Sequence, residues 1–175
     1  MKKLFGSFLL AVSVSLGCAH GTTTEKMPVT KDLGAYHTAS IAVTVTGKTD
    51  KPDVHKSQLS LAVEKAVKEK SLFQVVTENA ELEIRVNLDN VDEGTSIAAL
   101  GAQSDVTMGS SVELFDVKEG KGIGQFSVTG DSKRNTTTVN GQNVSGIQGK
   151  FALAHEAMAD QIATYIASHK SGAAK

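Results

Sequence analysis

The sequence predicts an α+β domain in two layers: a largely antiparallel sheet of about five strands packed by two helices, in the order β-α-β-β-β-β-α. Three observations carry that prediction. Leu82, Ile84, Val86 and Leu88 alternate with Glu81, Glu83, Arg85, Asn87 and Asp89. One side of this strand is therefore core and the other water, as in an antiparallel sheet. Two stretches, 51–70 and 150–169, repeat their apolar residues at helical spacing. Between them, a long alternating run turns at Lys118-Glu119-Gly120-Lys121-Gly122 and comes back as its own partner.

The chain opens with an export address. Met1-Lys2-Lys3 is basic, Leu4 to Leu16 is uncharged, and Gly17-Cys18 follows. An apolar run of about 13 residues falls short of the roughly 20 that a spanning helix needs. Residues 1–17 therefore read as a bacterial signal peptide. Val14-Ser15-Leu16-Gly17-Cys18 resembles the lipobox of bacterial lipoproteins, with its usual order shifted: Ser15 stands three before the cysteine and Leu16 two before. That resemblance implies lipidation of Cys18, the single cysteine. The bland alternative is a secreted protein cut near Gly17 or Ala19, with a free thiol open to intermolecular pairing. Each buried methylene contributes about 0.8 kcal/mol, so one acyl chain holds weakly and several, such as palmitate, hold firmly. Ala19 after the cysteine points to the outer membrane, facing the periplasm.

Residues 18–37 then read as the lipidated cysteine and a flexible tether, because Ala19 to Tyr36 is rich in Thr, Gly and Lys and has no apolar period. Such a coil would span on the order of 20–25 Å. A single domain is predicted over 38–170, with a disordered tail at 171–175. It starts at the alternating run Ala39, Ile41, Val43, Val45. Asp50 reads as a helix cap, with Pro52 tolerated in the first turn and Asp53 favoured there by the helix dipole. Leu59, Val63, Ala66 and Val67 mark the buried stripe of that helix, and Leu72, Phe73, Val75 and Val76 a short strand behind it. After the strand at 81–89 comes a Gly/Ala/Ser loop over 91–104. A strand from Val106 to Val117 follows, with Val106, Met108, Val112 and Leu114 inward, and Ile123 to Thr129 returns beside it. Residues 130–149 turn polar and read as a long loop. The final helix carries Phe151, Ala154, Met158, Ile162, Tyr165 and Ile166 on its inner side.

Ala80-Glu81-Leu82-Glu83-Ile84-Arg85-Val86, Leu100-Gly101-Ala102, Val112-Glu113-Leu114-Phe115-Asp116-Val117 and Gly120-Lys121-Gly122 follow one another along the chain. Together they resemble a family of small bacterial lipoproteins of unknown function. The family's mark is a strand ending near an Asp, a turn Gly and a returning strand. More distantly, the chain is similar to the penicillin-binding-protein activator and curli-secretion lipoproteins. The resemblance implies an envelope location and this fold, and no reaction. The chain departs from the family in lacking the Arg that often precedes the Leu-Gly loop.

Chemistry-bearing patterns are few. His155-Glu156 suggests a zinc-protease helix, but that motif needs a second His at 159, where Ala159 stands. His155 falls on the apolar side of its helix and reads as a packed or hydrogen-bonded core histidine. His20, His37, His55 and His169 are scattered. Gly120-Lys121-Gly122-Ile123-Gly124 precedes a strand, so it is a hairpin device and no phosphate cradle. No serine sits in a Gly-x-Ser-x-Gly elbow. The prediction is therefore no catalytic residue, no metal, no cofactor and no enzyme. Lys2 and Lys3 leave with the signal, so of 18 basic side chains about 16 remain against 19 acidic ones, without the basic stripe of a nucleic-acid binder. The expected partners are the membrane, through the N-terminal lipid, and an envelope protein. The expected role is partner binding or assembly support, with the loops 91–104 and 130–149 as candidate surfaces. A periplasmic small-molecule or lipid-binding protein is the alternative, and an envelope hydrolase ranks below both.

Overall fold

The computed structural model describes residues 21–92, 96–97, 102–103, 105–132, 138–139, 142–143 and 147–170. Its elements are β1 (Gly21–Met27), a short 3-10 turn (Leu33–Ala35), β2 (Thr38–Val45), α1 (Pro52–Glu69), β3 (Gln74–Val75), β4 (Leu82–Asp92), β5 (Ser96–Ile97), β6 (Ala102–Gln103), β7 (Thr107–Asp116), β8 (Lys121–Asp131), β9 (Thr138–Val139), β10 (Gln142–Asn143) and α2 (Ile147–Lys170). Six strands make one open sheet in the order β1-β8-β7-β4-β2-β3, and β5/β6 and β9/β10 form two small pairs. The two-layer α+β arrangement is as the sequence predicts.

Pairing in the sheet is antiparallel except around β2, which runs parallel to β3 and to β4. Parallel neighbours need a long crossover, and α1 supplies it. The register aligns Ala39 and Val43 with Leu82 and Val86, then Leu114 and Val112 with Ile84 and Val86, and Phe126 with Val112. One apolar side is thus continuous across four strands, and both helices lie against it. Leu59, Val63 and Val67 of α1 and Met158, Ile162 and Ile166 of α2 are fully buried. Burying each such side chain contributes about 1.5–3 kcal/mol. Ile123 is the extra residue of a bulge, since Leu114 opposes Gly124 while Phe115 opposes Gly122. Gly130 is needed where α2 crosses β8: a Cβ there would meet the Ala154 carbonyl and come within 2.8 Å of the Met158 nitrogen.

Two expectations are corrected. From Gly21 onward, the predicted tether is folded structure. Gly21–Met27 pairs along β8 as an edge strand, which raises the main sheet from five strands to six. Leu33 is wholly buried and Tyr36 nearly so. The strand escaped the alternation test because its inward residues Gly21, Thr23 and Glu25 meet polar groups of α2, and its stability comes from backbone pairing. Thr23 donates to Gln161 Oε1 (3.1 Å), and Tyr165 donates to Glu25 Oε2 (2.8 Å). The second correction concerns Asp50. The cap of α1 is Lys51, which makes no side-chain capping bond; Pro52 opens the helix and Asp53 sits in its first turn as expected.

Residues 1–20, including the signal segment and Cys18, lie outside the described residues, as does the tail at 171–175. Most of the loops 91–104 and 130–149 does too. Their described parts complete β4 and β8, make the two small pairs and begin α2.

Candidate functional site

On the side of the helices away from the sheet, α1 and α2 enclose a groove of about 960 Å³. Its walls are low because the facing positions are small: Ala62 and Ala66 on α1, Ala152 and Ala159 on α2. Leu61 stands at the rim, 63% exposed. Lys70 bridges the groove's end to Asp160 at 3.0 Å.

Two histidines lie beneath the groove. His55 continues the stripe of Leu59, Val63 and Val67 at four-residue spacing, and His155 stands one turn after Phe151, so packing turns both inward. Each is 1% exposed. His55 Nδ1 and His155 Nε2 share a hydrogen bond at 3.2 Å, and the His55 ring stands edge-on to Phe151 at 4.8 Å. Burial, with the nearby His55, pushes the His155 pKa down to about 4. The imidazole is therefore neutral at neutral pH, with one nitrogen donating and the other accepting. Its Nδ1 is buried without a partner, and so is Gln58 Oε1, which also lines the groove. A buried polar atom left unpaired costs about 1–3 kcal/mol. Among the described residues no group of three or more His, Cys, Asp or Glu side chains could hold a metal ion.

A second polar cluster sits at one end of the sheet. Asp116 Oδ2 accepts from Lys31 Nζ (2.7 Å) and from the Tyr36 hydroxyl (2.8 Å), and Oδ1 accepts from the Glu119 backbone N–H (2.9 Å). These bonds hold the carboxyl well below the usual carboxylate range, with Lys31 the largest cause. Burial, then the bond to Asp116, pushes Tyr36 up to about 12. The turn closes at Gly120, whose φ of 64° favours glycine. The Asp-turn-Gly signature therefore has a packing cause: one carboxylate caps the turn and fastens residues 31–36 to the sheet.

The uncovered side of the sheet is polar. Arg85 lies 3.5 Å over the Phe115 ring and pairs with Glu83 (2.8 Å) and Glu113 (3.2 Å), while Thr44 and Thr46 donate to Asn87. His37 and His169 stand apart from the buried pair; His169 Nδ1 lies 2.9 Å from the Tyr165 carbonyl of its own helix. Neither the pairing of His55 with His155 nor the role of Gln58 was read from the sequence. The one available signal was that both histidines fall on apolar stripes.

This architecture defines a two-layer α+β protein with a mixed open sheet. No family model matches the chain, and no curated protein matches it. Solved structures do. The PelC dodecamer from Paraburkholderia phytofirmans is similar at 11% identity over 83% of this chain and 96% of that one, with a TM-score of 0.53. The hypothetical protein CT253 from Chlamydia trachomatis is similar at 9% identity, over 75% and 99%, with a TM-score of 0.50. The protein XCC0632 from Xanthomonas campestris, of the DUF330 family, is similar at 10% identity, over 82% and 87%, with a TM-score of 0.50. At these identities the likeness is one of fold. It agrees with the expected two-layer α+β fold. Among the described residues no helix is long and apolar enough to cross a membrane.

Proposed function

We propose that this chain is a lipid-anchored envelope protein, acylated on Cys18, whose domain binds a helix of another envelope protein along the groove between α1 and α2. The observation that carries the binding role is the groove's composition: alanines at the facing positions, charged Lys65, Glu69, Lys70, Glu156 and Asp160 around them, an exposed Leu61, and two buried unpaired polar atoms, Gln58 Oε1 and His155 Nδ1. Small residues let a third backbone approach closely. Rotation of the Gln58 side chain into the groove would present its buried, unpaired Oε1 to a donor such as a Ser or Lys side chain on the entering helix. The lipobox-like segment ending at Cys18 supports the anchor, and Ala19 supports the outer membrane. The reading is binding without catalysis: His155 is neutral at neutral pH, 1% exposed, and bonded through Nε2 to His55. Small-molecule binding between sheet and helices finds less support, because Leu59, Val63, Leu114, Phe126, Met158 and Ile162 fill that space.

The test places a photo-crosslinking residue in the intact, exported chain, either at Leu61 or at Thr44 on the uncovered sheet side. A discrete adduct from Leu61, absent from Thr44 and lost on Ala159→Arg, is the expected result. Equal adducts from both positions, or none from Leu61, overturn the groove. For the anchor, Cys18→Ser should release the protein from membranes on fractionation.

A further inference from the structure

The first described strand begins three residues after Cys18. Gly21 is locked into the sheet. It pairs with Gly130, and its neighbour Thr22 bonds Thr129 Oγ1 through its backbone N–H (3.1 Å) and its hydroxyl (2.8 Å). A Cβ on Gly21 would lie 2.5 Å from the Thr129 carbonyl oxygen, so the backbones are already in close contact. Only Ala19 and His20 separate Cys18 from this fixed point. Three residue steps at full extension reach about 10 Å.

The register fixes what lies at that end. Gly21 opposes Gly130, Asp131 opposes Thr107, and Thr107 opposes Asp92, so all these strand ends lie side by side. Asp105 is there too, paired with Lys150 of the first turns of α2 at 3.6 Å. The Asp116 turn, with Lys31 and Tyr36, lies at the other end. Ten residues of β7 separate the two ends, roughly 30 Å. Lys170, the last residue of α2, reaches the Leu72 and Tyr36 carbonyls at the far end.

We propose that the sheet end formed by Gly21, Asp92, Thr107 and Asp131 faces the bilayer, and that the Asp116 turn and the last turn of α2 point away from it. The inference rests on acylation of Cys18. The groove then runs outward from the membrane and presents its rim to a partner beside or above the domain. Among the described residues, this end carries the carboxylates of Asp92, Asp105 and Asp131, with Lys150 beside Asp105. The orientation rests on the shortness of the link between Cys18 and Gly21.

The full-length acylated protein tests this in vesicles of phosphatidylethanolamine and phosphatidylglycerol doped with a headgroup nitroxide quencher. A fluorophore is placed on one introduced cysteine, Asp92→Cys or Val117→Cys, both at exposed positions. Quenching at 92 should exceed that at 117 by about fivefold, since the two lie about 10 and 40 Å from the surface. Inserting a long Gly/Ser linker between Ala19 and His20 should abolish the difference, and raising the phosphatidylglycerol fraction should leave it unchanged. Equal quenching, or stronger quenching at 117, on protein whose N-terminal peptide carries the acyl mass overturns the orientation and leaves the lipoprotein reading standing. An unmodified Cys18 in that peptide overturns both.

Discussion

Asp116 and His155 are buried to nearly the same depth, 4% and 1% exposed, yet the two sites are finished differently. Both oxygens of Asp116 are occupied, by an ammonium, a phenol and a backbone N–H. His155 has one nitrogen bonded to another histidine and one bonded to nothing. A carboxylate stays charged in a protein interior only when partners replace its water. An imidazole can lose its charge instead, and the depressed pKa of His155 shows that it has. The satisfied cluster therefore belongs to the fold. The unsatisfied one lies under an open groove, where the proposed partner helix would pack.

Asp116→Ala should have the largest effect, because it strands the Tyr36 hydroxyl and strips Lys31 of its buried partner. We expect Tm to fall by roughly 10 °C and residues 21–37 to become sensitive to limited proteolysis. An unchanged melt with an intact N-terminal segment would mean that Asp116 is no clamp.

Acid should separate the two sites by pH. His155 is protonated near pH 6.5 when unfolded and near 4 when folded. Between those values the unfolded chain holds more protons, so stability falls as pH drops through that window, by about 3 kcal/mol in total. Asp116 has the opposite ionisation but the same direction of loss. Its folded pKa is depressed, so its contribution is complete above the unfolded value and fades only as pH falls through a lower range. Urea titrations from pH 7 to about 4 should therefore report the histidine. His155→Phe should flatten that slope, and a slope that persists in the variant would remove His155 as its cause.

Gln58→Leu sharpens the contrast from the other side. Removing an unpaired acceptor should stabilise the isolated protein by about 1 kcal/mol while weakening the Leu61 crosslink. A destabilised variant would show that Gln58 is satisfied in solution. The smallest effect belongs to the uncovered sheet side: Arg85→Ala should stay within about 1 kcal/mol, since its ion pairs are half exposed. Chemical denaturation measures both.

Much of the fold was legible because its signals are local. The alternation at 82–88 and the helical stripes through Leu59 and Met158 need no knowledge of any other segment, and Gly120 marks its own turn. β1 was hidden for the converse reason. Its threonines fit a strand, but its inward side meets the polar Gln161 and Tyr165 of a helix some 140 residues away, so no apolar period betrays it. The candidate site was legible only in halves. Each histidine could be placed on a buried stripe, and nothing in either stripe names the other ring.

By itself the sequence determined the α+β class, both helices, the Asp-turn-Gly hairpin and which side of each strand is apolar, since hydrophobic periodicity is a property of neighbours in the chain. Only the tertiary structure decided that residues 21–37 belong to the domain, that Asp116 holds Lys31 and Tyr36 from 85 and 80 positions away, and that His55 meets His155 across 100. Those contacts depend on how the sheet orders its strands and where the helices land on it. That order is set by the packing of the whole core, which no single stretch of residues carries.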